Sequence, residues 1–135
     1  MKFHHQIFLL AALLLCPLMA TAQLAVTVMS PKVTSQMAVV QLTMKNNLGR
    51  TVQSARAVCF LQDAQGKMVG HSTKWVIGQN KNGLEPGATN SFNFVITSTQ
   101  PFTATNLTAK ISFSSVVLDG GKQVDVLRGV TIIAQ

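Results

Sequence analysis

Acidic residues and cysteines are scarce in this 135-residue chain, and each scarcity limits what the protein can be. Four Asp or Glu stand against eleven Lys or Arg, which gives a formal net charge of +7. The two cysteines are Cys16 and Cys59. If the N-terminal segment that contains Cys16 is removed on export, Cys59 has no intramolecular disulfide partner. It is then either buried or used chemically.

Long apolar runs are absent beyond residues 1–22. That segment has a short basic start, the apolar run IFLLAALLL and the small residues ATA at its end. The pattern is typical of a cleavable signal peptide, because the run is too short to span a bilayer. We therefore predict cleavage before Gln23, a domain over residues 23–135, no transmembrane segment after processing, and a secreted or periplasmic product. Lipidation at Cys16 is a less favoured alternative, since the preceding leucine is not small.

The remaining charge pattern argues against nucleic acid as a partner. Without the signal segment, ten Lys or Arg remain (eleven less Lys2) against four acids. They are scattered along the chain and lack the aromatic signature of an RNA-binding sheet. Such a charge attracts an anionic glycan or a membrane surface weakly. A solvated surface that simply has few acids is the interpretation we favour.

Short strands separated by turns are the main secondary-structure signal. Val, Thr, Ser and Phe are frequent, and no stretch shows a sustained helical period. This rhythm predicts an all-β fold, an immunoglobulin-like two-sheet antiparallel β-sandwich of about seven strands. The predicted strands are 24–29, 37–45, 55–63, 67–77, 90–97, 107–118 and 123–133.

The alternation of apolar and polar residues predicts an irregularity in the segment 107–118. Its early apolar residues alternate regularly, but Val116 and Leu118 are out of phase with them. A β-bulge near Ser114–Ser115 would return both sets to the core.

Three turns are predicted from their composition. Asp63 and Gly66 fit the first and fourth positions of a type I turn, and a left-handed Gly66 makes it a three-residue hairpin loop with a glycine bulge. Pro86 and Gly87 fit the central positions of a type II turn, where the glycine has a positive φ. The DGG sequence at 119–121 predicts a further hairpin.

The hairpin around the first turn carries the sharpest chemical hypothesis. Extending its register places Cys59 opposite His71 on the inward face, with Trp75 on the same face. A thiol beside an imidazole can form an activated thiolate, or bind a soft metal with Met68 as a further candidate ligand. We favour a structural role, because no third group is in place to orient the imidazole and buried cysteine often packs as a small apolar residue. We therefore predict no catalytic residue, no metal and no cofactor.

The order of strands and turns between residues 44 and 96 resembles the FxLYD-type domains of bacterial exported and cell-envelope proteins. The shared frame is a strand ending in Asn, a Gly-containing loop, a strand closing on Asp, the return GKMVG, and a Pro-Gly turn before an aromatic strand. The matching residues are Asn46, Gly49, Leu61, Asp63, Gly66, Lys67, Val69, Gly70, Pro86, Gly87 and Phe92. The chain departs from the family pattern at Cys59, where the family has Phe, and at Gln62, where it has Tyr.

This resemblance implies an immunoglobulin-like sandwich that serves as an accessory or interaction module and has no catalytic residues. We therefore expect a non-enzymatic bacterial exported domain that binds a protein or a cell-envelope surface. Exposed sheet edges give such sandwiches a route to partners by strand addition. The alternative is a thiol- or metal-dependent periplasmic protein that uses Cys59 and His71.

Overall fold

The computed structural model describes residues 22–78, 82–104 and 106–135. All but the last residue of the predicted signal peptide lies outside them. The eight described strands are β1 (Leu24–Val28), β2 (Lys32–Thr34), β3 (Met37–Asn46), β4 (Val52–Gln62), β5 (Met68–Ile77), β6 (Thr89–Thr97), β7 (Thr108–Leu118) and β8 (Val130–Ala134). A 3₁₀ turn (Asp119–Gly121) and a short helix, α1 (Val126–Gly129), lie between β7 and β8. Among the described residues, no helix has the length and hydrophobicity needed to span a membrane.

The strands form two sheets, sheet A and sheet B. In sheet A, β3 pairs with β6 along one edge and with β2 and β1 along the other. β8 extends sheet A by pairing in parallel with β1. In sheet B, β4 pairs antiparallel with β5 on one side and with β7 on the other. The chain is therefore a two-sheet β-sandwich dominated by antiparallel pairs, which confirms the predicted all-β architecture.

Alternate side chains of both sheets form one apolar core. Val40, Leu42 and Met44 of β3 are fully buried, as are Leu61 of β4 and Phe94 of β6. Because successive side chains of a strand point to opposite faces, each of these strands gives one row of residues to the core and one to the surface.

A β-bulge in β7 brings both halves of that strand onto the core. Phe113 and Ser115 pair with consecutive residues of β4, so Ser114 is the extra residue. Phe113 before the bulge and Val116 after it are both buried. The predicted bulge near Ser114–Ser115 is confirmed, and its cause is the phase change in the apolar pattern.

The β4–β5 turn is closed by backbone hydrogen bonds and by a carboxylate. The Gly66 amide donates to the Asp63 carbonyl at 3.0 Å, and the Asp63 amide donates to the Lys67 carbonyl at 2.9 Å. Gly66 has φ = +81°, a conformation that costs glycine little because it has no Cβ. The Asp63 carboxylate accepts from the amides of Gln65 and Lys67 at 3.0 and 2.9 Å. At the Pro-Gly turn, Gly87 likewise has a positive φ, +78°.

Asn46, at the end of β3, ties together the loops at one end of the sandwich. Its buried side-chain amide donates to the carbonyls of Arg50 and Leu84 at 2.7 and 2.8 Å. Its side-chain oxygen accepts from the Leu48 amide at 2.9 Å. The backbone carbonyl of Asn46 accepts from Gly87 at 2.7 Å. Both the nitrogen and the oxygen of the buried side-chain amide thus have hydrogen-bond partners, as burial of a polar group requires.

Three parts of the strand layout differ from the sequence-based expectation. The hairpin predicted at residues 119–121 is reduced to the isolated bridge between Val117 and Gln123, because β8 pairs with β1 instead of β7. The short strand β2 was not predicted, because three residues are too few to show an alternation. The predicted strand 123–133 is divided into an isolated bridge at Gln123, the helix α1 and β8. The interruption has a local cause: Asp125 caps α1 by accepting from the Leu127 amide at 3.1 Å.

Candidate binding surface

The pairing of β4 with β5 separates Cys59 from His71. The strands pair as expected beside the turn, but a bulge follows, after which Cys59 pairs with Ser72 and His71 pairs with Phe60. The prediction that Cys59 and His71 are inward-facing cross-strand neighbours is wrong. A shift of one residue sends a side chain to the other face of a sheet, so the thiol and the imidazole lie on opposite sides of sheet B.

Cys59 is fully buried on the inward side of β4. Burial raises the pKa of its thiol from 9.0 to about 11, so the thiol is neutral at ordinary pH. His71 is exposed, and Met68 is 50% exposed near the turn. Within the described ranges, no group of three or more His, Cys, Asp or Glu is placed to hold a metal ion. The three residues of the thiol and metal hypothesis therefore do not form a shared site.

Sheet B instead presents an outward surface that combines cations with aromatic rings, which we call the outer B face. We define it by eight of the outward residues of β4, β5 and β7, namely Arg56, Val58, Phe60, His71, Thr73, Trp75, Lys110 and Ser112. Residues that are directly opposite each other in an antiparallel sheet share a face, so these side chains form rows across the three strands.

Arg56 is held against Trp75 at one end of the outer B face. The guanidinium carbon lies 5.9 Å from the indole ring centroid, within the range of a cation–π interaction. In the part of the chain that the structure describes, this guanidinium has no hydrogen-bond or ion-pair partner. Arg50 and Arg128 instead pair with nearby aspartates, at 2.9 and 3.9 Å. The donors of Arg56 are therefore available to a ligand.

A second cation–aromatic group lies at the other end of the face. The Phe60 and His71 rings are 6.5 Å apart between centroids and tilted by 42°. Lys110 is exposed and lies directly opposite Phe60 on β7. Phe60 lies four residue steps beyond Arg56 along β4, which corresponds to roughly 13 Å. The outer B face thus offers two basic, aromatic positions along its length.

The acidic residues lie outside this surface. Across residues 22–78, 82–104 and 106–135, none of the strands contains an Asp or a Glu. All four acids lie between strands and are engaged there. Asp63 accepts two backbone amides, and Glu85 accepts from the Thr51 hydroxyl at 3.1 Å. Asp119 and Asp125 pair with arginines. No described carboxylate therefore competes for the basic side chains of the outer B face.

The two most exposed large apolar side chains of the described residues lie outside the outer B face, on α1 and β8. Leu127 is 90% exposed and Ile133 is 58% exposed. Beside them, in the described residues, the second edge of β7 pairs only through the isolated bridge between Val117 and Gln123. A free strand edge beside apolar side chains is the geometry that strand addition uses.

Sequence reasoning missed the outer B face. Its basic residues are scattered along the chain, and only the strand pairing brings them together. The expected register also placed Trp75 on the inward side, whereas it pairs with Arg56 on the outward side. The alternation in β4 carried the available signal, since Arg56, Val58 and Phe60 follow each other at every second position.

No family model, curated protein or solved structure matches this chain. Its own geometry is therefore what supports a function.

Proposed function

We propose that the chain is an exported, non-enzymatic binding domain whose outer B face contacts an anionic partner on the cell-envelope surface. The observation that carries this proposal is the Arg56 guanidinium on Trp75, which pairs with no described residue and lies within a surface that has basic and aromatic groups and no described carboxylate. Charge complementarity favours an anionic partner. The signal-peptide pattern of residues 1–22 supports export.

An immunoglobulin-like, FxLYD-type relationship belongs to the same proposal. The order β1–β3–β6 in one sheet and β5–β4–β7 in the other agrees with the ABE and C′CF arrangement of immunoglobulin-type sandwiches. Residues of the sequence resemblance also have defined structural roles, since Asn46 joins the loops and Gly66 and Gly87 adopt positive φ. β8 departs from the pattern by pairing with β1 instead of continuing along β7.

Binding without catalysis is supported by the state of the reactive groups. The Cys59 thiol is buried and its pKa is raised, which disfavours the nucleophilic thiolate. The acids are held in loops by their own hydrogen bonds and ion pairs. The absence of enzymatic activity stays a prediction.

Co-sedimentation with envelope fragments of the source organism tests the binding surface. Arg56→Gln combined with Lys110→Gln should weaken binding about tenfold or more, since each cation is expected to contribute on the order of 1 kcal/mol. Arg128→Gln combined with Lys122→Gln removes the same charge outside the outer B face and should have little effect. Equal losses from both pairs, or no loss from either, would assign binding to another part of the molecule.

Mass spectrometry of the secreted protein tests export. We expect a mature N-terminus at Gln23 or within a residue or two of it. An uncleaved first segment or an acylated Cys16 would contradict the expected processing.

A further inference from the structure

We infer that the outer B face binds an acidic polysaccharide, whose carboxylates meet Arg56 and Lys110 and whose sugar rings lie against Trp75 and Phe60. This inference rests on the proposed function and adds the chemical class of the ligand.

The Arg56 guanidinium has the donor geometry that carboxylate recognition needs. It presents N–H donors in a planar fork that matches the two oxygens of a carboxylate. Contact with the Trp75 ring limits its orientations before a ligand arrives, so less side-chain entropy is lost on binding. Lys110, at the other end of the face, supplies a second positive charge without a fixed geometry.

The residues between Arg56 and Lys110, together with the nearby aromatic rings, can hydrogen-bond to sugar hydroxyls and pack against sugar rings. Thr73 and Ser112 lie on either side of Val58 in the central row, and both are exposed. Their hydroxyls both donate and accept hydrogen bonds, as sugar hydroxyls do. Trp75 and Phe60 are partly exposed, and the electron-rich faces of such rings attract the polarised C–H groups of a sugar ring.

A polymer fits better than a single sugar acid. The two cation–aromatic positions are roughly 13 Å apart along β4, further than one sugar ring extends. A chain that reaches both converts two weak contacts into one stronger interaction, because the second contact forms within an already bound molecule.

The composition of the face favours this ligand over a membrane or a protein. Binding in a membrane interface uses exposed apolar side chains, and the most exposed of these, Leu127 and Ile133, lie on α1 and β8. Protein interfaces usually centre on a desolvated apolar cluster. Here the centre is the row of Thr73, Val58 and Ser112, in which two of the three side chains are hydroxylic.

Affinity electrophoresis of the mature domain in gels that contain polygalacturonate tests the inference. We expect retardation that weakens with added salt and is absent in gels that contain neutral dextran. Arg56→Gln should raise the apparent Kd about fivefold and Arg128→Gln less than about twofold. Arg56→Lys keeps the positive charge but loses the planar fork of N–H donors. Its apparent Kd should lie between those of wild type and Arg56→Gln. Trp75→Leu should also weaken binding, with circular dichroism to verify that the variant is folded.

Two further probes separate the inference from the proposed function. Poly-glutamate and phosphatidylglycerol vesicles carry negative charge without sugar rings. If either binds as tightly as polygalacturonate and through Arg56, the polysaccharide assignment is wrong while an anionic partner remains. If none of the three probes binds in a way that depends on Arg56, both the inference and the proposed function are wrong. Equal weakening by Arg56→Gln and Arg128→Gln would reduce the interaction to net charge and would also overturn the inference.

Discussion

The inward and outward sides of β4 differ in burial and in chemical character. Inward, Ala57, Cys59 and Leu61 are fully buried between the sheets. Outward, Arg56 is exposed and Phe60 is partly exposed on the outer B face. Because direction alternates at each residue, one strand supplies both the centre of the fold and the proposed binding surface. We therefore expect substitutions at inward positions of β4 to change stability, and substitutions at the neighbouring outward positions to change binding.

The largest effect is expected from truncation of the inward row at Leu61. Leu61→Ala should lower the free energy of unfolding by about 2–5 kcal/mol, since it removes a fully buried side chain and leaves a cavity. The outward neighbour provides the control: Gln62→Ala should cost no more than about 0.5 kcal/mol. Urea unfolding followed by tryptophan fluorescence measures both. Similar costs at the two positions would contradict the assignment of faces in β4.

Cys59 should make stability depend on alkaline pH. Its folded-state pKa of about 11 lies above the reference value of 9.0, so the folded protein holds the thiol proton more tightly than the unfolded chain does. The stabilisation of the folded state by the neutral, buried thiol is fully present below pH 9 and is lost as pH rises through 11. The total change is about 2–3 kcal/mol. We expect the stability difference between wild type and Cys59→Ala to shift by this amount between pH 8 and pH 11.

Thiol labelling checks the same position kinetically. DTNB should react slowly with the folded protein and quickly after denaturation, and His71→Ala should leave the slow rate unchanged. Fast labelling of the folded protein that depends on His71 would restore the thiol–imidazole pair.

A smaller effect is expected at the turn that joins the two strands. Gly66→Ala should cost about 1 kcal/mol, because Gly66 has φ = +81° and a side chain there is strained. A Cβ at this position would meet no atom within 4 Å, so the cost reflects backbone conformation rather than a clash. Ala64→Gly, in the same turn, should cost less. Chemical denaturation measures both variants, and equal costs would mean that the left-handed glycine does not constrain the hairpin.

A small change in stability is also expected on the outward row, at Arg56. Arg56→Gln should cost no more than about 1 kcal/mol, the size of an exposed cation–π contact, while polygalacturonate binding falls. Arg50→Gln gives the matched comparison. That variant loses contacts of 2.9 and 2.6 Å to the Asp119 carboxylate and carbonyl, so it should affect stability and leave binding nearly unchanged. Unfolding and affinity electrophoresis of both variants separate the two roles. A loss of binding in Arg50→Gln equal to that in Arg56→Gln would contradict the comparison.

Two of the bulges show how much of the fold could be predicted from sequence. The bulge at Ser114 was predictable, because apolar residues before and after it are out of phase, and only an extra residue brings both sets to the core. The bulge in β5 next to the turn, at Val69, has no such signal in the sequence. Val69 and Gly70 fit either register, and the next four residues, HSTK, are polar. The burial of Cys59 followed from β4 alone, since it does not depend on the partner strand.

The outer B face was less predictable than the core. A core row is visible within one strand, but this surface depends on the pairing of three strands, and an error of one residue in that pairing exchanges its members. Trp75 was expected inside because the predicted register placed it on the same face as Cys59. Its outward position is stabilised by Arg56, a contact that only the observed register provides.

The pairing of β8 with β1 has a consequence for the order of folding. Leu24 lies opposite Val130, and beyond the strands the Gln135 amide donates to the Val28 carbonyl at 2.9 Å. These contacts join the two ends of the described chain, so the entropy of closing nearly the whole polypeptide opposes them. We expect the β4–β5 hairpin to form early and the β1–β8 pair to form late, with overall folding in milliseconds to seconds. Until β8 docks, one edge of β1 is unpaired, and we expect a partly folded chain to be prone to association with other chains at that edge.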